Sequence, residues 1–210
     1  SFGIFADNND TNSLTNIAAR KVTLNAGSMI DMSGTASKGT ALYINKGTLT
    51  TSGDMKVGNE GVGIYANDSN VSLNGGTIDI IGSDSTGIYL DGTTTLTATG
   101  GTINVKGDNT TVFFVNSLAT AAGLDNVTVN ADPGLKITLA NVKNNNFTYN
   151  GALYNAGKDS VLLAGDNSAI VFGTGAVINS ASENVAGMSA KGGSAVNKGT
   201  LTLTGANSIG

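Results

Sequence analysis

The chain has 210 residues, a net charge of −4, 30 glycines, one proline and neither cysteine nor histidine. Nucleic-acid or anionic-membrane binding is disfavoured, because there is no basic run and Arg20 is the only arginine. Ser-His-Asp and Cys-His catalysis and His- or Cys-ligated zinc or iron are excluded within this chain, because their residues are missing.

Hydrophobic residues make up 40 % and charged residues only 12 %. That balance suits a continuous core under neutral sheet faces, where Thr and Asn rather than ions meet water. Glycine without a G-X-Y period excludes collagen. No signal peptide and no apolar run of membrane-spanning length is present.

In chain order, a short opening strand recurs. It reads Gly3-Ile4-Phe5-Ala6, then Ala41-Leu42-Tyr43-Ile44, Gly63-Ile64-Tyr65-Ala66 and Gly87-Ile88-Tyr89-Leu90. Further copies are expected at Thr111-Val112-Phe113-Phe114, Ala152-Leu153-Tyr154-Asn155 and Gly187-Met188-Ser189-Ala190. Third residues of successive copies lie 38, 22, 24, 24, 41 and 35 apart, so the short spacings read as single turns of a coil. Two consecutive units of 24 residues, from Gly63 to Thr110, define the plainest form.

The first long spacing is expected to be an ordinary turn carrying a polar lateral loop between Asp7 and Arg20. A second strand pattern is read at Asn45–Thr50 and again at Asn197–Thr202. The Val22–Asp31 stretch matches Val71–Asp79 with one residue inserted. Residues 117–151 hold the single proline, Pro133, and are expected to form irregular rungs with a loop at Val142 to Asn146. Strands are also expected at Val127–Val129, Leu135–Leu139, Val161–Leu163 and Ile170–Phe172.

Apolar residues alternate within each strand, as in Ile78/Ile80, Ile103/Val105 and Leu201/Leu203, so one face of each strand is buried. Gly, Asn and Asp between strands bend the chain at low steric cost. One unit cannot bury its apolar face alone, but stacked on its neighbours it can. The expected fold is therefore all-β, a three-sided parallel β-helix of about 7–10 rungs. At about 4.8 Å per rung that is a rod roughly 35–50 Å long.

The third residues of the opening strands, Phe5, Tyr43, Tyr65, Tyr89, Phe113 and Tyr154, would stack into an aromatic ladder. Their neighbours are the natural core, so the ladder is expected to face outward, and Ser189 at the same position in the last copy agrees with a solvated column. Such a row stabilises a sheet by like-on-like packing, at about 0.5–1.5 kcal/mol per pair. It could also serve a partner, and Tyr43, Tyr65, Tyr89 and Phe113 are the candidate contacts. Asp7, Asn8, Asn9 and Asp10 in the first insertion and Asn144, Asn145 and Asn146 in the second are candidate loop contacts. The oxygens of Asp7–Asp10 and Asn67-Asp68-Ser69 could meet a calcium ion, but Asx-turns account for them, and no metal or cofactor is expected. No rung brings together the acid cluster of a polysaccharide hydrolase, so catalysis is not expected.

Gly63–Ala66, Asn197–Leu203 and Asn207–Gly210, read as recurring motifs, carry a resemblance. The chain resembles the passenger region of large type V autotransporter adhesins of Gram-negative bacteria, especially the fusobacterial type. The resemblance implies a right-handed β-helix exported to the cell surface through an outer-membrane barrel, the chain being a slice of a longer array. It implies adhesion to a host or bacterial cell-surface protein or glycan, with no membrane insertion by this segment. A passive stalk presenting a distal binding domain is the alternative.

Overall fold

The computed structural model describes residues 1–7, 20–34, 38–122 and 124–210. Each turn of the chain lays strands on up to three faces. The first face holds β1 (Phe2–Asp7), β4 (Thr40–Asn45), β7 (Val62–Asn67), β9 (Thr86–Asp91), β11 (Thr110–Asn116), β14 (Ile137–Lys143), β17 (Val161–Asp166) and β20 (Ala186–Lys191), hydrogen-bonded in that order. The second begins with β2 (Arg20–Leu24), β5 (Gly47–Thr51), the first halves of β8 (Asn70–Ile80) and β10 (Thr95–Val105), and β12 (Thr120–Ala122). A separate ladder of β15 (Asn146–Tyr149), β18 (Ala169–Phe172) and β21 (Ser194–Asn197) follows it. The third face holds β3 (Met29–Asp31), β6 (Asp54–Val57), the second halves of β8 and β10, and β13 (Thr128–Ala131), followed by the ladder β16 (Ala152–Tyr154), β19 (Val177–Ser180) and β22 (Thr200–Leu203).

Pairing along each of the faces is parallel. The chain is thus an all-β parallel solenoid, about seven full turns between β1 and β20. Its core is the space the three faces enclose, filled by columns such as Leu42–Ile64–Ile88–Phe113 and Met55–Ile78–Ile103–Val129, all buried.

The corners follow from residue chemistry. Leaving the first face, the chain takes a left-handed residue at the equivalent place on successive turns: Lys46 (φ 51°), Asp68 (φ 45°), Gly92 (φ 61°), Ser117 (φ 57°), Asn144 (φ 52°) and Asn167 (φ 50°). Asp and Asn tolerate this region because their short side chains bond locally. Buried hydroxyls then satisfy the backbone inside the corners. Gly47 N–H donates to Ser69 Oγ (3.1 Å), and Gly61 N–H donates to Ser85 Oγ (3.1 Å), which itself donates to the Gly58 carbonyl (2.7 Å). Ser160 and Ser168 repeat these roles for Ile137 N–H (2.9 Å) and Asn145 N–H (3.2 Å).

The structure departs from the sequence expectations in several places. Phe113 is inward and 1 % exposed, and the ladder column passes through Phe114, paired with Tyr89. The second repeat unit is one residue longer than the first, since Thr86 pairs with Thr111. A one-residue slip exchanges the two faces of a strand. Tyr154 stands on the third face in β16, beside Asn179. The opening strands after β11 are instead β14 and β17, so Asn141 and Ala164 occupy the column before Ser189. The two Asn-Lys-Gly-Thr-Leu-Thr stretches are not equivalent, because Gly47–Thr51 lies on the second face and Thr200–Leu203 on the third.

No loop interrupts residues 142–146. Asn144 is the left-handed corner residue, Asn145 donates to the Ala119 carbonyl, and Asn146 opens β15. The irregularity in residues 117–151 is a 3₁₀ turn, Leu124–Asn126, between β12 and β13. The insertion after Asp7, with Asn8, Asn9 and Asp10, lies outside the described residues apart from its flanks, where β1 ends at Asp7 and β2 begins at Arg20.

Candidate functional site

The outer side of the first face carries the site. Strand alternation turns Tyr43, Tyr65 and Tyr89 outward, while Leu42/Ile44, Ile64/Ala66 and Ile88/Leu90 on either side are buried. The in-register ladder brings the rings together. Phe5 stacks on Tyr43 (4.8 Å between centroids, planes at 10°), Tyr43 on Tyr65 (5.2 Å, 11°), Tyr65 on Tyr89 (4.8 Å, 18°) and Tyr89 on Phe114 (4.5 Å, 8°).

Each end of the stack makes one further contact. Phe2 leans on Phe5 at 4.9 Å and 58°. Lys143 Nζ stands 5.3 Å from the Phe114 centroid, a cation–π contact. The faces of Tyr43, Tyr65 and Tyr89 are thus occupied by stacked neighbours on both sides, leaving their edges and hydroxyls open, while Phe2 and Phe5 at the head of the row stay exposed.

Two residues further along each strand the side chains again face outward, and a polar ladder runs beside the rings. Asn45 Nδ2 donates to Asp7 Oδ1 (2.8 Å), Asn67 Nδ2 to Asn45 Oδ1 (2.8 Å), and Asn116 Nδ2 to Asp91 Oδ1 (3.0 Å). The column continues through Lys143, Asp166 and Lys191. The two columns touch at Asp91, whose Oδ2 lies 3.4 Å from the Tyr65 hydroxyl. Burial among the rings, and then the Asp91 carboxylate, push the Tyr65 phenol up to about 12. Burial raises Tyr43 and Tyr89 as well, with Asp7 and Asp91 adding to it.

No family model, curated protein or solved structure matches the chain.

The candidate contacts therefore divide. Tyr43, Tyr65 and Tyr89 form one half-exposed row, and Asp7 stands at the head of the polar ladder beside it. Phe113 is in the core. Asn144–Asn146 sit at a corner, and Asn8, Asn9 and Asp10 lie outside the described residues. The sequence reading missed Phe114, Lys143 and the polar ladder. The ladder had a signal, an Asn or Asp two places after each ring (Asp7, Asn45, Asn67, Asp91, Asn116). Among the described residues there is no cavity and no acidic group arranged to hold a metal ion.

Proposed function

We propose that the chain is a shaft segment of a surface-exposed adhesive passenger of the type V autotransporter kind, a non-catalytic rod that holds binding surfaces away from the cell displaying it. The supporting observation is the aromatic stack. The faces of Tyr43, Tyr65 and Tyr89 are covered on both sides by stacked neighbours, so the row acts as an external spine of the solenoid rather than as a platform for sugar rings. Length is what such a stack contributes, since each turn depends only on its neighbours.

A second reading is direct contact with a cell-surface protein. It is favoured by Phe2 and Phe5, which are 51 % and 55 % exposed at one end of the row, beside a strip of tyrosine hydroxyls. Edges and hydroxyls suit a protein surface better than a glycan.

Labelled chain applied to epithelial cells and to Gram-negative bacteria distinguishes the two. The shaft reading expects no saturable binding. Saturable binding that disappears in Tyr65→Ser and Tyr89→Ser variants, with folding retained by circular dichroism, would replace it with direct contact.

A further inference from the structure

The outer side of the first face is not uniform along the rod. Its first five turns carry large side chains in the ring column, and its last three carry Asn141, Ala164 and Ser189. The polar column is uneven too: it carries Asp7 and Asp91 in the first half and Lys143 and Lys191 in the second, around Asp166. The column on the other side of the rings runs from Phe2 on the first strand to Ala186 on the last.

The geometry points to a second copy of this chain as the occupant of this face, docked antiparallel about a two-fold axis along the strand direction, between β9 and β11. That rotation reverses the order of turns but keeps each column opposite itself. It sets Phe5 against Ser189, Tyr43 against Ala164 and Tyr65 against Asn141, large against small, while Tyr89 and Phe114 of the two copies meet ring to ring at the axis. In the flanking column Phe2 meets Ala186. In the polar column Asp7 meets Lys191, Asn67 meets Lys143 and Asp91 meets Asn116, while Asn45, only 5 % exposed, lies beneath the surface opposite Asp166. No like charges face each other. A parallel arrangement would instead put ring on ring at one end and leave a gap between small residues at the other. Slipping the antiparallel pair by one turn puts Asp7 against Asp166 or leaves Phe2 and Phe5 uncovered.

The size is sufficient. Eight strands by six residues make a face of roughly 38 Å by 20 Å, about 750 Å² per copy and about 1,500 Å² in all, within the range of stable interfaces. The two-fold closes at a dimer, whereas end-to-end stacking of solenoids would be open-ended. This pairing rests on the fold and not on surface display.

Sedimentation equilibrium of the 210-residue chain over a wide concentration range provides the test. The expected result is a monomer–dimer equilibrium that stops at the dimer. Ala164→Arg, an outward position that leaves the core untouched, should raise the dissociation constant at least tenfold. Lys191→Glu should weaken the dimer as well, and Asp7→Lys added to it should restore most of the loss. In one copy these two residues sit at opposite ends of the first sheet, so restoration within a monomer is ruled out. A monomer at every concentration, a species that grows past the dimer, indifference to Ala164→Arg, or no restoration by Asp7→Lys would each overturn the pairing.

Discussion

Thr51 stands in an inward column that is apolar on the adjoining turns, between Leu24 and Leu73. It is fully buried, and its Oγ1 has no hydrogen-bond partner among the described residues. A buried hydroxyl without a partner costs about 1–3 kcal/mol. Thr51→Val keeps the shape and removes that cost, so it should stabilise the chain by about 1 kcal/mol in urea denaturation. The corner serines behave in the opposite way, because Ser85 is equally buried but satisfies Gly61 N–H and the Gly58 carbonyl. Tyr65 gives a second prediction at this scale. Its folded-state phenol, about 12, lies above the ordinary model value of 10.0. The neutral ring is the form the fold prefers, so its contribution is complete below pH 10 and is lost as pH rises toward 12. Ultraviolet titration should show a late-ionising phenol, and Asp91→Asn should bring its midpoint part of the way down, since burial, the larger cause, remains.

Among the elements, the first-face strands carry the stack and the corners set its spacing. Tyr89 is an interior ring with stacked partners on both sides, Tyr65 and Phe114. Tyr89→Ser removes both pairs and should cost about 1–3 kcal/mol, measured by thermal or urea unfolding. The rows in β4, β7 and β9 were legible in the sequence because Gly-Ile-Tyr and its variant Ala-Leu-Tyr mark them. The row in β11 was not, because Phe113 and Phe114 are adjacent aromatics and periodicity cannot choose between them. Pairing chooses: Phe113 lies over Ile88 and Phe114 over Tyr89. The β14 and β17 rungs escaped for a related reason, since Asn141 and Ala164 carry no aromatic marker.

Taken as a whole, the molecule is close to one-dimensional, and its stability should be near to a sum over turns and their interfaces. Deleting residues 86–110, one complete turn, should let β7 pair directly with β11, because Thr86 and Thr111 are equivalent in register. Tyr65 would then stack on Phe114. The shortened chain should keep its β-sheet circular dichroism and a cooperative unfolding transition. Loss of cooperativity would show that the turns are not interchangeable.

The sequence alone determined the architecture. Period-two strands, Gly/Asn/Asp corners and a 22–24-residue repeat leave a stacked coil of parallel strands as the way to bury every apolar face. It also determined that the tyrosine row points outward, since the aliphatic residues on either side need the core more. Only the tertiary structure decided which residues share a column. Register along the rod is a contact between residues 22 to 38 positions apart, and a single added residue, as in the second repeat, moves Phe113 from the ladder into the core. Only the structure also showed that the tyrosine ring faces are closed, because stacking depends on the distance and tilt between neighbouring turns, which no one strand encodes.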